Sequence, residues 1–258
     1  MVPHERIGAA LRAGGRHGEP ALVAFLTAGY PRRERFREQL ASVAEAADVV
    51  EIGVPFTDPM ADGMTIQRSS REALNQGVSL QWILDELTAM RRPRAPLLLM
   101  SYLNPLLSYG YQRLAAASVA AGVCGFIVPD LPLDESAQLR AALDGHGLAL
   151  VQMVTPVTPD ARLARLCAAS QGFVYAVTMT GTTGKSVTMP AETLAYLGRV
   201  RAAAQVPVCA GFGIRTRAQV EALRGAVDGV IVGSALVEVL ERGESPQAWL
   251  NSLRSAAR

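Results

Sequence analysis

The sequence predicts an α/β protein folded as one (β/α)₈ barrel, the TIM-barrel architecture, over residues 1–258, with an extra helix near 3–13. Three observations carry this. Short β-rich runs alternate with helical patterns, and strands joined by helical crossovers require a parallel sheet. There are eight such runs, and eight strand–helix units in about 250 residues match a closed barrel in length. No linker, low-complexity tract, charge block or short repeat divides the chain. An open doubly wound sheet is the alternative that pattern alone leaves.

The β-rich runs lie at 21–27, 48–52, 96–100, 124–128, 148–152, 173–178, 207–211 and 229–233. Between the first two, Phe36, Leu40, Val43 and Ala47 recur at spacings of four, three and four, which is one face of a helix over 32–47. Ser79 stands before Trp82, Ile83, Leu87 and Met90 as an N-cap, and Thr216 stands likewise before Val220 and Leu223. Residues 134–144 and 159–170 also read as helices.

Composition excludes several classes of function. Half the residues are hydrophobic and 19% are charged, so a large core can form. A net charge of +2 with 24 scattered arginines and one lysine, Lys185, offers no nucleic-acid footprint. Apolar runs such as 97–100 fall far short of the ~18 residues of a membrane span, and Met1–Arg6 has no apolar signal core. The expected setting is soluble and cytoplasmic. Cys124, Cys167 and Cys209 are odd in number and lie in apolar stretches, which reads as reduced core cysteines. His4, His17 and His146 lie away from predicted strand ends, so no zinc site or Ser-His hydrolase assembles from them.

Chemistry in this architecture belongs at the C-terminal ends of the strands. Along the second strand, alternation puts Val50 and Ile52 on one face and Val49 and Glu51 on the other. With the first pair against the helices, Glu51 points into the barrel near its mouth. A carboxylate among apolar groups has a raised pKa, as a general acid/base near neutral pH requires. A buried ion pair, or a strand shifted by one residue, is the bland alternative. Asp62 follows in a Pro- and Gly-rich loop with Asp58 nearby, where turn-capping is the default role.

Gly211-Phe212-Gly213 follows the seventh strand, and Gly233-Ser234 opens an apolar helix after the eighth. Glycines admit close approach of backbone amides to an anion, and a helix N-terminus adds free N–H groups, so these loops suit a phosphate. Tight turns alone are the competing reading. Residues 180–186 end like a P-loop, but Met179 occupies the place of the required first glycine, which excludes that motif. The small, polar run to Pro190 reads as a closing lid whose Gly184 reaches the same phosphate. Tyr175 shares a strand face with Phe173 and Val177, and either fills a barrel layer or offers its hydroxyl.

The run from Val50 through Glu51-Ile52-Gly53-Val54-Pro55-Phe56-Thr57-Asp58-Pro59-Met60-Ala61-Asp62-Gly63 closely resembles the signature of the tryptophan synthase α subunit family. The resemblance continues through Phe25-Leu26-Thr27-Ala28-Gly29-Tyr30-Pro31, Met100 to Gly110 with Asn104-Pro105 inside, Val128-Pro129-Asp130-Leu131-Pro132, Gly211 to Ile214 and Gly233-Ser234-Ala235. It covers nearly the whole chain in the same order. It implies a (β/α)₈ barrel that cleaves indole-3-glycerol phosphate to indole and glyceraldehyde 3-phosphate. The implied partner is a β subunit in an α₂β₂ heterotetramer. Pyridoxal phosphate is implied only in that subunit, with no cofactor and no metal in this chain.

Residue by residue, the resemblance implies Glu51 as catalytic acid/base, Asp62 as the carboxylate holding the indole N–H, and Tyr175 beside them. It implies Gly184, Gly213, Gly233 and Ser234 as the phosphate cradle. Phe25, Tyr102, Ile127, Thr183, Phe212 and Ile231 would form the substrate pocket, and Pro55, Asp58, Asn104, Asp130 and Pro132 the partner contact. The chain departs from the family at Thr57 (often Ser), Met64 (Pro), Thr182 (Val) and Met179 (often Arg), which bears on loop stiffness and lid closure. A stand-alone lyase releasing free indole, a non-catalytic activating subunit and a Schiff-base aldolase using Lys185 are the competing functions. The lid is a poor place for a desolvated amine, which counts against the last.

Overall fold

All eight β-rich runs form strands: β1 (Ala21–Thr27), β2 (Val49–Gly53), β3 (Leu97–Met100), β4 (Val123–Ile127), β5 (Ala149–Val154), β6 (Val174–Val177), β7 (Val208–Gly211) and β8 (Gly229–Val232). They pair in parallel, each with the next, and β8 returns to β1 to close the barrel. The open sheet is thereby excluded. The structure, a computed structural model, describes residues 1–15, 18–178, 189–211 and 213–254. His17 and residues 179–188, where a lid is expected, lie outside the described residues.

Strand alternation divides the core into two layers. Leu22, Ala24, Leu26, Val50, Ile52, Leu97 and Leu99 join the cluster under the helices. Val23, Val49, Leu98, Cys124, Val151, Phe173, Cys209 and Ile231 fill the interior. The N-terminal helix, Pro3–Gly14, adds Ile7 and Leu11 to the interior layer, both fully buried. A Cβ on Gly172, just before β6, would fall 3.1 Å from Ile7, one on Gly229, which begins β8, would fall 3.4 Å from Leu11, and the His4 N–H donates to Gly147 oxygen ahead of β5, so this helix covers the N-terminal end of the barrel.

Several helices depart from the expectation. The predicted 32–47 helix opens with a 3₁₀ turn at Arg33–Arg35 and runs Phe36–Ala46. The 134–144 segment is a 3₁₀ turn, Leu133–Glu135, followed by a helix at Ala137–Asp144. Ser79 does cap the helix Leu80–Ala89, accepting from the Trp82 N–H at 3.2 Å. The helix after Thr216 covers only Arg217–Glu221, and Gln219 accepts from the Thr216 N–H at 3.1 Å. A helix at Met64–Asn75 has no counterpart in the sequence reading. Its buried face carries Ser69, Ser70 and Ala73, so it lacks the large apolar stripe that signals a helix. Those serines fasten it instead: Ser69 Oγ lies 2.7 Å from Thr27 Oγ1, and Ser70 Oγ accepts from the Phe56 N–H at 2.8 Å.

Among the described residues, no helix is long and apolar enough to cross a membrane. Cys124, Cys167 and Cys209 are free and buried.

Candidate active site at the barrel mouth

Glu51 sits in the middle of β2 with Val49 on its side of the strand in the barrel interior and Val50 and Ile52 on the other. Its side chain is therefore aimed inward, and no residue shift has occurred. The residue is 1% exposed, and among the described residues its Oε1 has no hydrogen-bond partner. Burial pushes the carboxyl from an ordinary 4.5 up to about 8, and among the described residues no cation pairs with it. At neutral pH this group is a carboxylic acid with a proton to give.

Asp62 stands at the end of the loop after β2, just before the helix Met64–Asn75. The loop closes on itself through the Asp62 N–H to Pro59 oxygen (3.1 Å), and Gln67 donates to the Asp62 carbonyl (2.8 Å). Burial raises the Asp62 carboxyl to about 6, against a hydrogen bond from the Tyr102 hydroxyl (3.2 Å) that lowers it. The Ala61 N–H donates to the same hydroxyl at 2.8 Å, so Tyr102 grips the loop at two points. Its phenol is pushed up to about 12 by burial and the neighbouring carboxylate, so it keeps its proton. The two carboxyls differ by environment, as an acid and an anion working side by side require.

Both carboxyls line one cavity of about 520 Å³, large enough for a bicyclic ligand with a short tail. Phe25, Ile231 and Tyr175 form part of its wall, and Gly213, Gly233 and Ser234, from the loops after β7 and β8, also line it. Gly213 holds a left-handed backbone, φ +63°, and Ser234 opens the helix Ser234–Glu241, whose first N–H groups have no partner within the helix. Among the described residues, no cationic side chain lines the cavity. An anion there would be held by amides. The Tyr175 phenol, on a half-buried residue, is pushed well above 10, by burial first and then by Glu51 and Asp62. A Cβ on Gly211 would fall 2.9 Å from its oxygen, so the glycine makes room for that hydroxyl.

Not every expected residue lands in this cavity. Ile127 is fully buried in the interior cluster and does not line it. Tyr102 lines a small adjoining hollow that it shares with Asp62 and Phe56, on whose ring it stacks at 5.0 Å. Thr183, Gly184 and Phe212 lie outside the described residues. Gly211, from the glycine loop after β7, lines the cavity too, and Met100, Thr65, Ile66 and Thr178 line it without having been given a role. Met100 ends β3, and its position at a strand end was a usable signal. Thr65 and Ile66 belong to the unrecognised helix.

The residues expected at a partner contact all lie in the segments after β2, β3 and β4, Asn104 within the helix Leu103–Tyr109. Asp58, Asn104 and Pro132 are exposed, whereas Pro55 is buried and Asp130 accepts from the Leu103 N–H at 2.9 Å, tying two loops together. Met60 on the loop after β2 and Leu107 on the helix Leu103–Tyr109 after β3 are 80% and 55% exposed.

Space behind the wall is tight. A Cβ on Gly53 would fall 2.5 Å from the Phe25 ring. Gly53→Ala is expected to drive that ring into the cavity, at a cost of about 1–3 kcal/mol from overpacking. Thermal unfolding should fall by roughly 2–4 °C per kcal/mol, and KM for the cavity's ligand should rise.

The family model described as "Tryptophan synthase alpha chain" matches residues 11–257. The tryptophan synthase alpha chain of Nitratidesulfovibrio vulgaris (strain DP4) is 44% identical over 249 residues, covering 96% of this chain and 97% of that one. That of Xanthomonas euvesicatoria pv. vesicatoria is also 44% identical, over 259 residues and 96% of each chain. Among solved structures, Mycobacterium tuberculosis tryptophan synthase superposes with a TM-score of 0.88 at 36% identity, over 96% of each chain. Tryptophan synthase subunit alpha from Legionella pneumophila gives 0.86 at 30%, over 98% of this chain and 97% of that one.

Proposed function

The chain belongs to the tryptophan synthase alpha chain family and is a lyase, and from that premise we propose that it cleaves indole-3-glycerol phosphate to indole and glyceraldehyde 3-phosphate with Glu51 and Asp62 as its working carboxyls. The observation that carries this is the buried Glu51 carboxyl, with Oε1 unpartnered among the described residues, sharing a cavity with Asp62 and with the glycine-bearing loops after β7 and β8.

The chemistry follows from these placements. Glu51 delivers its proton to C3 of the indole, and the ring becomes an indolenine cation. The Asp62 carboxylate accepts a hydrogen bond from the ring N–H and stabilises that charge. The bond from C3 to the side chain then breaks, and its electron pair restores the aromatic ring. The Glu51 carboxylate takes the hydroxyl proton from the departing carbon, which becomes the aldehyde, and the acid is regenerated. The Tyr175 phenol, held protonated, faces the cavity as a donor. Amides at Gly213, Gly233 and Ser234, with Gly184 of the lid, hold the phosphate. The reaction calls on no metal and no cofactor in this chain.

The partner in this reading is a β subunit docked on the loops after β2, β3 and β4, which receives the indole. The exposed Met60 and Leu107 there support an apolar contact beside Asp58, Asn104 and Pro132. Incubating the purified chain with indole-3-glycerol phosphate should release indole, and adding a β subunit should raise the rate. No indole under either condition would sink the reading. Full turnover alone, unchanged on mixing, would make the chain a stand-alone lyase.

A further inference from the structure

The loops assigned to the phosphate and the loop carrying Asp62 meet at one carboxylate outside the cavity. Glu238 lies one turn along the helix Ser234–Glu241, four residues from Ser234. Its carboxylate takes both arms of the Arg215 guanidinium, Oε2 to Nη1 at 2.6 Å and Oε1 to Nη2 at 3.0 Å. Arg215 stands two residues after Gly213. The same Oε1 accepts from the Thr65 hydroxyl at 3.4 Å, and Thr65 stands three residues after Asp62, at the start of the helix Met64–Asn75. One turn further along both helices, Arg68 Nη2 meets Glu241 Oε2 at 2.6 Å. The two helices are thus tied on successive turns, beginning beside the site.

We propose that Thr65, Glu238 and Arg215 are positioning residues, a strap that sets the Asp62 carboxylate against the phosphate end of the cavity. The proposal rests on the assignment of that cavity to indole-3-glycerol phosphate. Stability does not explain the strap. Arg215 and Glu238 are 47% and 27% exposed, and ion pairs so placed add little to folding. Geometry does explain it. A two-armed guanidinium–carboxylate pair fixes direction as well as distance. The third contact hands that direction to the segment bearing Asp62. Small displacements of a catalytic group are costly in rate even when binding is intact.

The test is steady-state indole release by Thr65→Val, Thr65→Ser, Glu238→Gln and the exchange variant Arg215→Glu/Glu238→Arg. Inhibition by glycerol 3-phosphate is read alongside, to report the phosphate end alone. Thr65→Val and Glu238→Gln are expected to lower kcat by about three- to tenfold, the scale of coupling between residues in contact. KM and the inhibition constant should stay within about twofold, as for an interaction felt in the transition state rather than in binding. Thr65→Ser, which keeps the hydroxyl, should recover most of the kcat that Thr65→Val loses. The Thr65→Val/Glu238→Gln double variant should be no slower than the slower single one. The exchange variant should stay slow, because it restores the ion pair but leaves the Thr65 hydroxyl no acceptor. Unchanged kcat in both Thr65→Val and Glu238→Gln overturns the proposal. So does a parallel rise in KM and the inhibition constant at constant kcat, which would confine the strap to phosphate binding. Glu51→Gln in the same assay separates the two failures: parental activity there would overturn the assignment of the cavity itself.

Discussion

Glu51→Gln should reduce indole release by at least about 10²–10⁴-fold, the worth of general acid/base assistance, and should also make the fold more stable in alkaline solution. The two effects share one cause. The Glu51 carboxyl is enclosed, has an unpartnered oxygen and holds its proton up to about pH 8. That proton is the one delivered to C3, and Gln has none to deliver. The folded-state pKa lies above the ordinary 4.5, so the folded chain binds a proton that the unfolded chain has lost. The associated stability is fully present below pH 4.5 and is lost as pH rises through about 8. The shift corresponds to roughly 5 kcal/mol between the two limits, at 1.36 kcal/mol per pH unit. A buried Gln amide without partners costs about 1–3 kcal/mol. The net expectation is near-equal or slightly lower stability of the variant at pH 5, and a gain of about 2–4 kcal/mol at pH 9. Denaturant unfolding at the two pH values checks it. A variant less stable than the parent at pH 9 would mean the carboxyl is not desolvated as described. The parent's activity should decline above about pH 8, where the acid form is lost.

This pairing of a catalytic group with a stability cost explains why Glu51 was legible from sequence. Its neighbours Val49, Val50 and Ile52 form the near-continuous apolar run expected of a barrel strand, and a lone carboxylate breaks it. Alternation alone then gave its direction. The glycine loops were legible for a similar reason, since both sit directly after strands. The Asp62 environment was not. Tyr102 is 40 residues away in sequence, Gln67 lies on a helix whose buried face is serine and alanine, and no local period marks either contact. Tyr102 consequently looked like a pocket wall, when its hydroxyl holds the loop. The tie from Glu238 to Thr65 spans 173 residues and is equally silent in the sequence. Patterning places a strand and its faces, whereas long-range polar contacts require the closed barrel to bring their loops together.

Asp62→Asn should lower kcat by about 10²–10³-fold, the loss typical when one preorganised electrostatic contact to a developing charge is removed, with a smaller change in KM. Asn fills nearly the same space and can still accept a hydrogen bond, so binding of the uncharged indole ring is largely kept. What disappears is the fixed negative charge beside a ring that turns cationic only after C3 is protonated. The effect therefore belongs to the transition state, and kcat should carry it. The pH profile gives an independent check. Asp62 must be ionised to act, and its carboxyl titrates near 6, so kcat/KM of the parent should fall as pH drops below about 6. With Glu51 required as the acid, the full profile is a bell with limbs near 6 and 8. In Asp62→Asn the acidic limb should vanish while the alkaline one remains. Tyr102→Phe supplies the intermediate case. It removes the hydrogen bond that lowers the Asp62 pKa, so the acidic limb should move to higher pH while the charge survives. It also leaves the Ala61 N–H without its acceptor. An acidic limb unmoved in Tyr102→Phe and intact in Asp62→Asn would assign that titration to another group, and with it the anion that the indolenine requires.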